Sequence, residues 1–154
     1  MSESRPEDRV SSILTKDVLT IDASDNLKTA LKKMLKEDVG SLPVMKKGKA
    51  VGIITERDIA RIYAEKDLGS LDTNVESVMS SPPITIGPET PILEALEIML
   101  GNRIRRLPVT TDDKLAGIVT ERDIVVWILK ETYKPFIPEH LRKFVDKIDS
   151  LQKL

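Results

Sequence analysis

The sequence lacks most of the side chains used in catalysis and in transition-metal binding. It has no cysteine and a single histidine, His140. This excludes disulfides, thiol nucleophiles, thiolate metal sites and two-histidine acid–base pairs within one chain. Aromatic residues amount to 3% of the chain, few for a surface that stacks nucleic-acid bases, and the net charge of -1 provides no overall field for nucleic acid or an anionic membrane. Neither an enzyme nor a nucleic-acid-binding protein is expected.

Long apolar runs are also missing from the sequence. None approaches the roughly 20 residues that a membrane-spanning helix requires. The start of the chain, MSESRPEDR, is too polar for a signal peptide. Apolar residues nevertheless make up 40% of the 154 positions, which suffices for a hydrophobic core. We therefore expect a soluble cytoplasmic protein that has no membrane segment.

A gapless internal repeat organises the chain, since residues 10–66 align with residues 75–131 at a constant offset of 65. Two motifs recur in both copies: Leu-Pro-Val at 42–44 and 107–109, and Thr-Glu-Arg-Asp-Ile at 55–59 and 120–124. Five consecutive identities, in the register set by the other matches, are hard to ascribe to chance. The chain is therefore predicted to contain two similar units in tandem.

The repeat divides the chain into five predicted segments. Its two units account for most of the sequence, and apolar residues recur at helical spacing near the end of the chain. The segments are a polar lead at 1–9, a first unit at 10–66, a linker at 67–74, a second unit at 75–131 and an extension with an amphipathic helix at 132–154.

Each unit shows the same predicted order of strand, helix, strand, strand and helix. Apolar residues at helical spacing predict an amphipathic helix over 27–35 and over 92–100, and Ser24 or Asp25 could cap the first of these. Two short strands on either side of Lys47-Gly48 indicate a hairpin. A unit of about 57 residues is marginally stable alone, so we expect the two to pack sheet to sheet over a shared core.

This order and the two motifs resemble the CBS domain, a module named after cystathionine β-synthase that occurs as tandem pairs, or Bateman modules. The resemblance rests on Leu-Pro-Val at the second strand and on Gly-x-x-Thr-x-x-Asp at the last strand, in both copies. It covers residues 10–131. It implies an α/β fold of the α+β kind, with two βαββα units around a pseudo-twofold axis. It also implies a stand-alone pair without a catalytic domain.

The two Thr-x-x-Asp segments allow a structural and a functional interpretation. As capping boxes, their threonine hydroxyl accepts a bond from the third helical N–H and the acid accepts from the cap N–H. As a binding site, the helix N-terminus attracts anions, and the hydroxyl and carboxylate can reach a phosphate or ribose. In CBS domains the matching residues contact adenosine nucleotides. The resemblance therefore implies ligand contacts at Thr55, Asp58, Thr120 and Asp123, and both interpretations can hold together.

The two units differ where phosphate recognition matters. Arg105 and Arg106 precede Leu-Pro in the second unit, whereas Gly40 and Ser41 stand at the matching positions of the first. Cations after a helix C-terminus can simply offset the helix dipole, or they can hold phosphates through forked, charge-assisted hydrogen bonds. The resemblance implies the second role, since basic residues at this place in related pairs reach phosphates across the interface between the units.

Two unequal sites are therefore expected. The first should bind phosphorylated ligands more tightly, because the second would lack the arginines. The expected sites are Thr55 and Asp58 with Arg105 and Arg106, and Thr120 and Asp123 with Gly40 and Ser41.

The family also places the adenine base beside the first strand of each unit, against backbone groups and apolar surfaces. The implied contacts are Lys16, Asp17 and Val18 in one unit, and Ser81, Pro82 and Pro83 in the other. The two prolines lack backbone N–H donors, so the two pockets are expected to recognise the base differently.

The leading hypothesis is a regulatory module that binds AMP, ADP or ATP between its units. It would signal to an effector protein through a change in shape or in dimer arrangement. A carrier of S-adenosylmethionine or another adenosyl ligand, and a purely structural dimerisation module, are the alternatives. A homodimer through helices is expected, since CBS pairs commonly form one. No catalytic cofactor or metal is expected, since the sequence shows no nucleophile–base pair, metal cluster or Walker-type loop.

Overall fold

The computed structural model of the chain describes residues 5–65, 70–132, 136 and 138–152. Parts of the predicted lead, linker and C-terminal extension lie outside these ranges. Among the residues described, no helix is both long enough and apolar enough to cross a membrane.

The strands and helices follow the repeat, and the second unit copies the order of the first. The first unit contains β1 (Ile21–Asp22), α1 (Leu27–Glu37), β2 (Ser41–Lys46), β3 (Lys49–Thr55) and α2 (Glu56–Glu65). The second contains α3 (Ile92–Asn102), β4 (Arg106–Thr111), β5 (Lys114–Thr120) and α4 (Glu121–Trp127). Helix α5 (Glu139–Gln152) follows them, and a short 3-10 turn precedes each unit at Val10–Ser12 and Val75–Ser77.

Each unit forms a small sheet of mixed direction. In the first, β1 is parallel to β2 and β2 is antiparallel to β3. In the second, β4 and β5 are antiparallel, and Ile86 forms a single parallel bridge to Val109. That bridge matches the pairing of Ile21 with Val44 in the first unit. The predicted α/β fold of the α+β kind, built from two tandem βαββα units, is confirmed, and the sheets meet along β3 and β5.

Helix α1 begins after a different cap from the one predicted. Its N-cap is Asn26, whose Oδ1 accepts a hydrogen bond from Thr29 N at 2.9 Å. Asp22 Oδ1 accepts a bond from Ser24 N at 2.9 Å, and Asp25 Oδ2 accepts one from Asp22 N at 3.3 Å. The prediction of Ser24 or Asp25 as the cap is therefore wrong, because these residues already close the turn before the helix.

Two hydrophobic cores hold the elements together. The predicted apolar faces of α1 and α3 are confirmed at the matching residues that are buried in the two cores, but the prediction is wrong at the last positions, Leu35 and Leu100, which are exposed. The first core contains Ile21, Ala23, Leu27, Ala30, Met34, Leu42, Val44, Ile54, Ile59 and Val75. The second contains Val10, Ile86, Ile92, Ala95, Met99, Leu107, Val109, Val119 and Ile124. Each large side chain contributes roughly 1.5–3 kcal/mol by leaving water.

The segment that leads into each unit packs against the other unit. Val10, at the start of the first repeat, is fully buried in the second core, and its counterpart Val75 is fully buried in the first. Their backbone N–H groups donate across the repeat in the same way, Val10 to Thr90 O at 2.9 Å and Val75 to Asp25 O at 2.8 Å. The two sequence repeats are therefore not two separate packing units.

The exchange continues onto the edges of the two hairpins. Thr15 and Ile118 exchange two backbone hydrogen bonds of 2.9 Å, and Ser80 and Ile53 exchange two of 2.9 and 3.0 Å. Each leading segment thus covers the open edge of a strand in the opposite unit, which satisfies backbone groups that would otherwise face solvent.

Two buried glycines permit this close approach. A Cβ at Gly52 would lie 2.8 Å from the carbonyl oxygen of Ser80, and a Cβ at Gly117 would lie 2.7 Å from that of Thr15. Real Cβ atoms are essentially never found so close to another heavy atom. Glycine is therefore required at both positions because another backbone segment occupies the space of its missing side chain.

We predict that Gly117→Ala lowers the free energy of unfolding by about 1–3 kcal/mol, because the methyl group pushes the crossing backbone away from β5. Gly101→Ala is the matched control. A Cβ there meets nothing within 4 Å, and alanine in a helix should stabilise by about 1 kcal/mol. Urea unfolding of both variants measures the two effects. A Gly117→Ala protein as stable as the wild type would contradict this account of the exchange.

Candidate functional site

Both Thr-x-x-Asp segments form capping boxes where a strand turns into a helix. Thr55 N donates to Asp58 Oδ2 at 2.9 Å, and Asp58 N donates to Thr55 Oγ1 at 3.1 Å. Thr120 and Asp123 repeat the two bonds at the same lengths. The Thr55 hydroxyl also donates to Asp58 Oδ2 at 2.8 Å. The predicted structural interpretation of these segments is therefore confirmed.

The capping threonines stand beside the residues in which the units differ. In the antiparallel ladders Ser41 is the partner of Thr55, and Arg106 is the partner of Thr120. Each pair lies at the end of its hairpin, immediately before α2 or α4. Backbone pairing thus brings the Thr-x-x-Asp segment and the residue before Leu-Pro together within each unit.

A cleft of about 560 Å³, here called the cationic cleft, lies between the units at Thr55. Its first wall belongs to the first unit and its second wall to the loop between α3 and β4. The lining residues are Gly40, Ser41, Ile53, Thr55, Arg57, Arg103, Ile104, Arg105 and Arg106.

The charge in the cationic cleft has one sign. Four arginines line it, and none of the described residues in its lining is acidic. The ion pair given for Arg105 is a long one, with Nε 3.9 Å from Glu121 Oε2 and the arginine side chain 88% exposed. Within the described part of the chain, Arg57, Arg103 and Arg106 form no ion pair. The cleft is therefore a local positive surface on a nearly neutral protein.

A second cleft of about 730 Å³, here called the mixed-charge cleft, lies at Thr120. It carries the cations Lys16 and Arg106 and the carboxylates Asp17, Glu37 and Asp123. Apolar and small residues complete the wall. They are Thr15, Val18, Leu19, Val39, Ser41, Pro43, Ile118 and Thr120.

The structure places the predicted site residues partly as expected. It brings Arg105 and Arg106 into one cleft with Thr55, but Asp58 is not among the lining residues of that cleft; it brings Ser41 into the cleft of Thr120 and Asp123. Gly40, however, lines the cationic cleft. The expectation that the Thr120 site lacks arginine is wrong, because Arg106 lines both clefts. The predicted inequality of charge rests instead on the three other arginines and on the carboxylates.

Of the two predicted base-contacting segments, only the first lines a cleft, whereas Ser81, Pro82 and Pro83 line neither. Lys16, Asp17 and Val18 line the mixed-charge cleft, following Thr15 on the edge of β5. Ser81 to Pro83 follow Ser80 on the edge of β3, beside Ile53 of the cationic cleft. Ser81 Oγ donates to Val51 O at 2.8 Å, which fixes the start of this segment against β3.

Several lining residues were not among the predicted site residues. Arg57 and Arg103 add charge to the cationic cleft, while Ile53 and Ile104 form its apolar wall. Ile53 and Ile118 match at the repeat offset, and Ile118 lines the mixed-charge cleft as Ile53 lines the cationic one. The internal repeat therefore links the two positions as candidate site residues. Glu37 carries no such signal, because its role depends on how the two units meet.

The described residues contain no cluster of His, Cys, Asp and Glu able to hold a metal ion. The clefts instead offer guanidinium groups, hydroxyls, carboxylates and apolar walls. Groups of this kind are suited to contact a small polar molecule that has both anionic and apolar parts.

A family model of the CBS domain matches the chain twice, at residues 10–65 and 75–130. The chain is 38% identical over 112 residues to the mitochondrial CBS domain-containing protein CBSX3 of Arabidopsis thaliana, covering 70% of this chain and 54% of that protein. It is 38% identical over 117 residues to an inosine-5'-monophosphate dehydrogenase of Korarchaeum cryptofilum, covering 75% of this chain and 23% of the enzyme. It thus spans about half and about a quarter of the length of these two relatives.

Solved structures agree with the family match. The CBS domain pair of protein MJ0100, in complex with 5′-methylthioadenosine and S-adenosyl-L-methionine, is 31% identical with a TM-score of 0.68, over 76% of this chain and 92% of that one. CBSX2 in complex with AMP is 26% identical with a TM-score of 0.71, over 79% and 96%. With both repeats matched, the fold shared and two clefts between the units, the chain belongs to the CBS domain family as a tandem pair.

Proposed function

We propose that this chain is a regulatory module that senses adenine nucleotides (AMP, ADP or ATP), which it binds in the cationic cleft. The observation that carries the proposal is the meeting of four arginines and Thr55 in one cleft without a lining carboxylate. Its volume of about 560 Å³ lies within the usual range of small-molecule sites, roughly 300–1,000 Å³. No catalytic step is part of the proposal.

The arginines supply the phosphate contacts in this proposal. A guanidinium presents its donors as a planar fork that matches a phosphate group, and such charge-assisted bonds are stronger than neutral ones. Arg103 and Arg105 come from the loop after α3, and Arg57 comes from the first turn of α2. A phosphate between them would join the two units, which gives the ligand a means to favour one arrangement over another.

Asp58 supplies the ribose contact. Its Oδ2 accepts both bonds from Thr55, whereas none of the described residues donates a hydrogen bond to its Oδ1. Asp58 lines neither cleft, but it is hydrogen-bonded to the lining residue Thr55, and a carboxylate acceptor beside Thr55 suits vicinal ribose hydroxyls, which donate hydrogen bonds. The base would then lie against Ile53 and the segment at Ser81 to Pro83.

The structural relatives support an adenosine-containing ligand. CBSX2 is in complex with AMP, and the MJ0100 pair is in complex with 5′-methylthioadenosine and S-adenosyl-L-methionine. These ligands share adenosine and differ in what is attached at its 5′ position. The ligand of each cleft in this chain should therefore follow from the charge that the cleft presents to that end.

The mixed-charge cleft favours a second candidate function, the binding of S-adenosylmethionine or another adenosyl ligand without phosphate. Three carboxylates and two cations line it, so it suits a zwitterionic or uncharged 5′ group better than a phosphate. A carrier that changes its conformation little on binding would need only a cleft that accepts such a ligand. The two functions are compatible, since they concern different clefts.

Signal output is proposed to pass through a homodimer to an effector protein. Helix α3 exposes Leu93 and Leu100, 54% and 64% exposed and seven residues apart on one face, and α4 exposes Val125. Such an apolar surface is typical of a contact between proteins. Cytoplasmic location stays a prediction from the sequence, which identifies no particular effector.

We predict that Arg57→Ala and Arg105→Gly each weaken AMP binding about tenfold, since a hydrogen bond to a charged group contributes about 1.5 kcal/mol or more. Adenosine binding should change by no more than about twofold. The matched control is Arg122→Ala, the counterpart of Arg57 in the second repeat, which lines neither cleft. Isothermal titration measures all three. Equal losses for AMP and adenosine would rule out phosphate recognition by these arginines.

We predict that Thr55→Ala lowers the free energy of unfolding by about 1 kcal/mol, through loss of the helix cap, and also lowers the thermal shift produced by AMP. Thr55→Ser keeps the hydroxyl and should keep both properties. Thermal melts with and without AMP separate them, because a ligand that binds only the native state raises the melting temperature. A full AMP shift in Thr55→Ala would leave the threonine with a capping role alone.

We predict that the double substitution Leu93→Glu with Leu100→Glu converts the proposed dimer to a monomer, because it places two charges in an apolar contact. Leu35→Glu is the control. It lies at the place on α1 that matches Leu100 and is 76% exposed, but Lys28 takes the place of Leu93 there, so it belongs to no such apolar stripe. Light scattering after size exclusion gives the masses. A monomeric mass for the wild-type protein would contradict the proposed homodimer.

A further inference from the structure

Arg106 and Ser41 occupy a special place in the repeat. They stand at matching positions, at the starts of β4 and β2, and each lines both clefts. The pseudo-twofold axis that relates the two units therefore exchanges these two residues. If both residues were arginine, each cleft would have an arginine of its own at this position. Because one is serine, the two clefts share a single arginine.

Arg106 is suited to contact a ligand from either side. Its side chain is half-buried between the clefts, and within the described part of the chain it forms no ion pair. The cationic cleft has three further arginines, whereas Lys16 is the only other described cation in the lining of the mixed-charge cleft. A phosphate in the mixed-charge cleft would thus depend on Arg106 far more than a phosphate in the cationic cleft.

We propose that Arg106 couples the two clefts, so that a phosphate bound in the cationic cleft takes its guanidinium and weakens the binding of a second phosphate in the mixed-charge cleft. This coupling rests on the proposed nucleotide-binding function. A guanidinium that forks one donor edge onto a phosphate in the cationic cleft no longer offers that edge to the other cleft, so the second phosphate meets mainly Lys16 and the carboxylates of Asp17, Glu37 and Asp123. By linkage, a phosphate in the mixed-charge cleft weakens the first site by the same factor.

The coupling sorts ligands between the clefts. When AMP fills the cationic cleft, an adenosyl ligand without phosphate keeps its full affinity for the mixed-charge cleft, whereas a second AMP binds there more weakly. The pair would then hold one phosphorylated and one unphosphorylated adenosyl ligand when both are present. Occupancy of the second cleft would report the ratio of the two ligand classes.

Isothermal titration with AMP tests the coupling. The Asp58→Ala variant, which loses the proposed ribose acceptor of the cationic cleft, gives the affinity of the mixed-charge cleft at AMP concentrations too low to fill the weakened cationic cleft. The second binding step of the wild type gives its affinity when the cationic cleft is filled. We expect this second step to be about tenfold weaker, within the usual range of allosteric coupling of about 5- to 150-fold. Adenosine added to AMP-saturated wild type should bind as it does to Asp58→Ala.

The variant Ser41→Arg provides the decisive comparison, because it gives each cleft its own arginine. The AMP affinity of the mixed-charge cleft is measured in the second binding step of Ser41→Arg and again in the double variant Ser41→Arg with Asp58→Ala. The two affinities should differ by no more than about twofold. Arg106→Ser removes the shared group and should also abolish the ratio, with weaker binding of AMP in both clefts. Equal AMP affinities of the mixed-charge cleft with the cationic cleft empty and filled in the wild type would overturn the coupling. An unchanged ratio of these affinities in both variants would also overturn it, and neither result would contradict AMP binding itself. Absence of AMP binding in every protein would overturn the proposed function itself.

Discussion

The exchange of leading segments between the two repeats is the constraint on which the rest of the structure depends. Thr15 pairs with the edge of β5 and Ser80 with the edge of β3, each at about 2.9–3.0 Å, over a glycine that leaves room for the crossing backbone. Val10 and Val75 then fill cores that belong to the opposite unit. Neither repeat can complete its core or its sheet edge alone, so the pair folds as one body.

The position of both clefts follows from this exchange. The residues after Thr15 are carried across the molecule to the end of β5, where Lys16 to Val18 meet Thr120. The residues after Ser80 are carried in the same way to Ile53 of the cationic cleft. A binding surface made from both units is therefore a direct consequence of how the backbone crosses. A ligand bound there, as proposed, would contact both units and could bias their arrangement.

The repeated backbone carries unequal side chains, and the inequality provides the chemistry. The capping boxes have the same bond lengths in both units, so they belong to the shared scaffold. The residue before each Leu-Pro is arginine in one unit and serine in the other. Backbone symmetry brings both to the axis between the clefts. A single substitution between repeats thus changes the charge of two sites at once.

The sequence by itself determined the repeat, the buried positions of the helix faces and the capping boxes, because these follow from periodicity and from motifs matched at one offset. The meeting of Arg105 and Arg106 with Thr55 was implied only by the resemblance to the CBS domain. The sequence did not determine the cap of α1, where three acceptors compete within a few residues and only hydrogen-bond geometry selects Asn26. Only the tertiary structure decided that Val10 belongs to the second core, that Glu37 and Arg57 line clefts and that Arg106 reaches both. Contacts between residues so distant in the chain depend on how the two units cross, and neither local pattern nor spacing records that crossing.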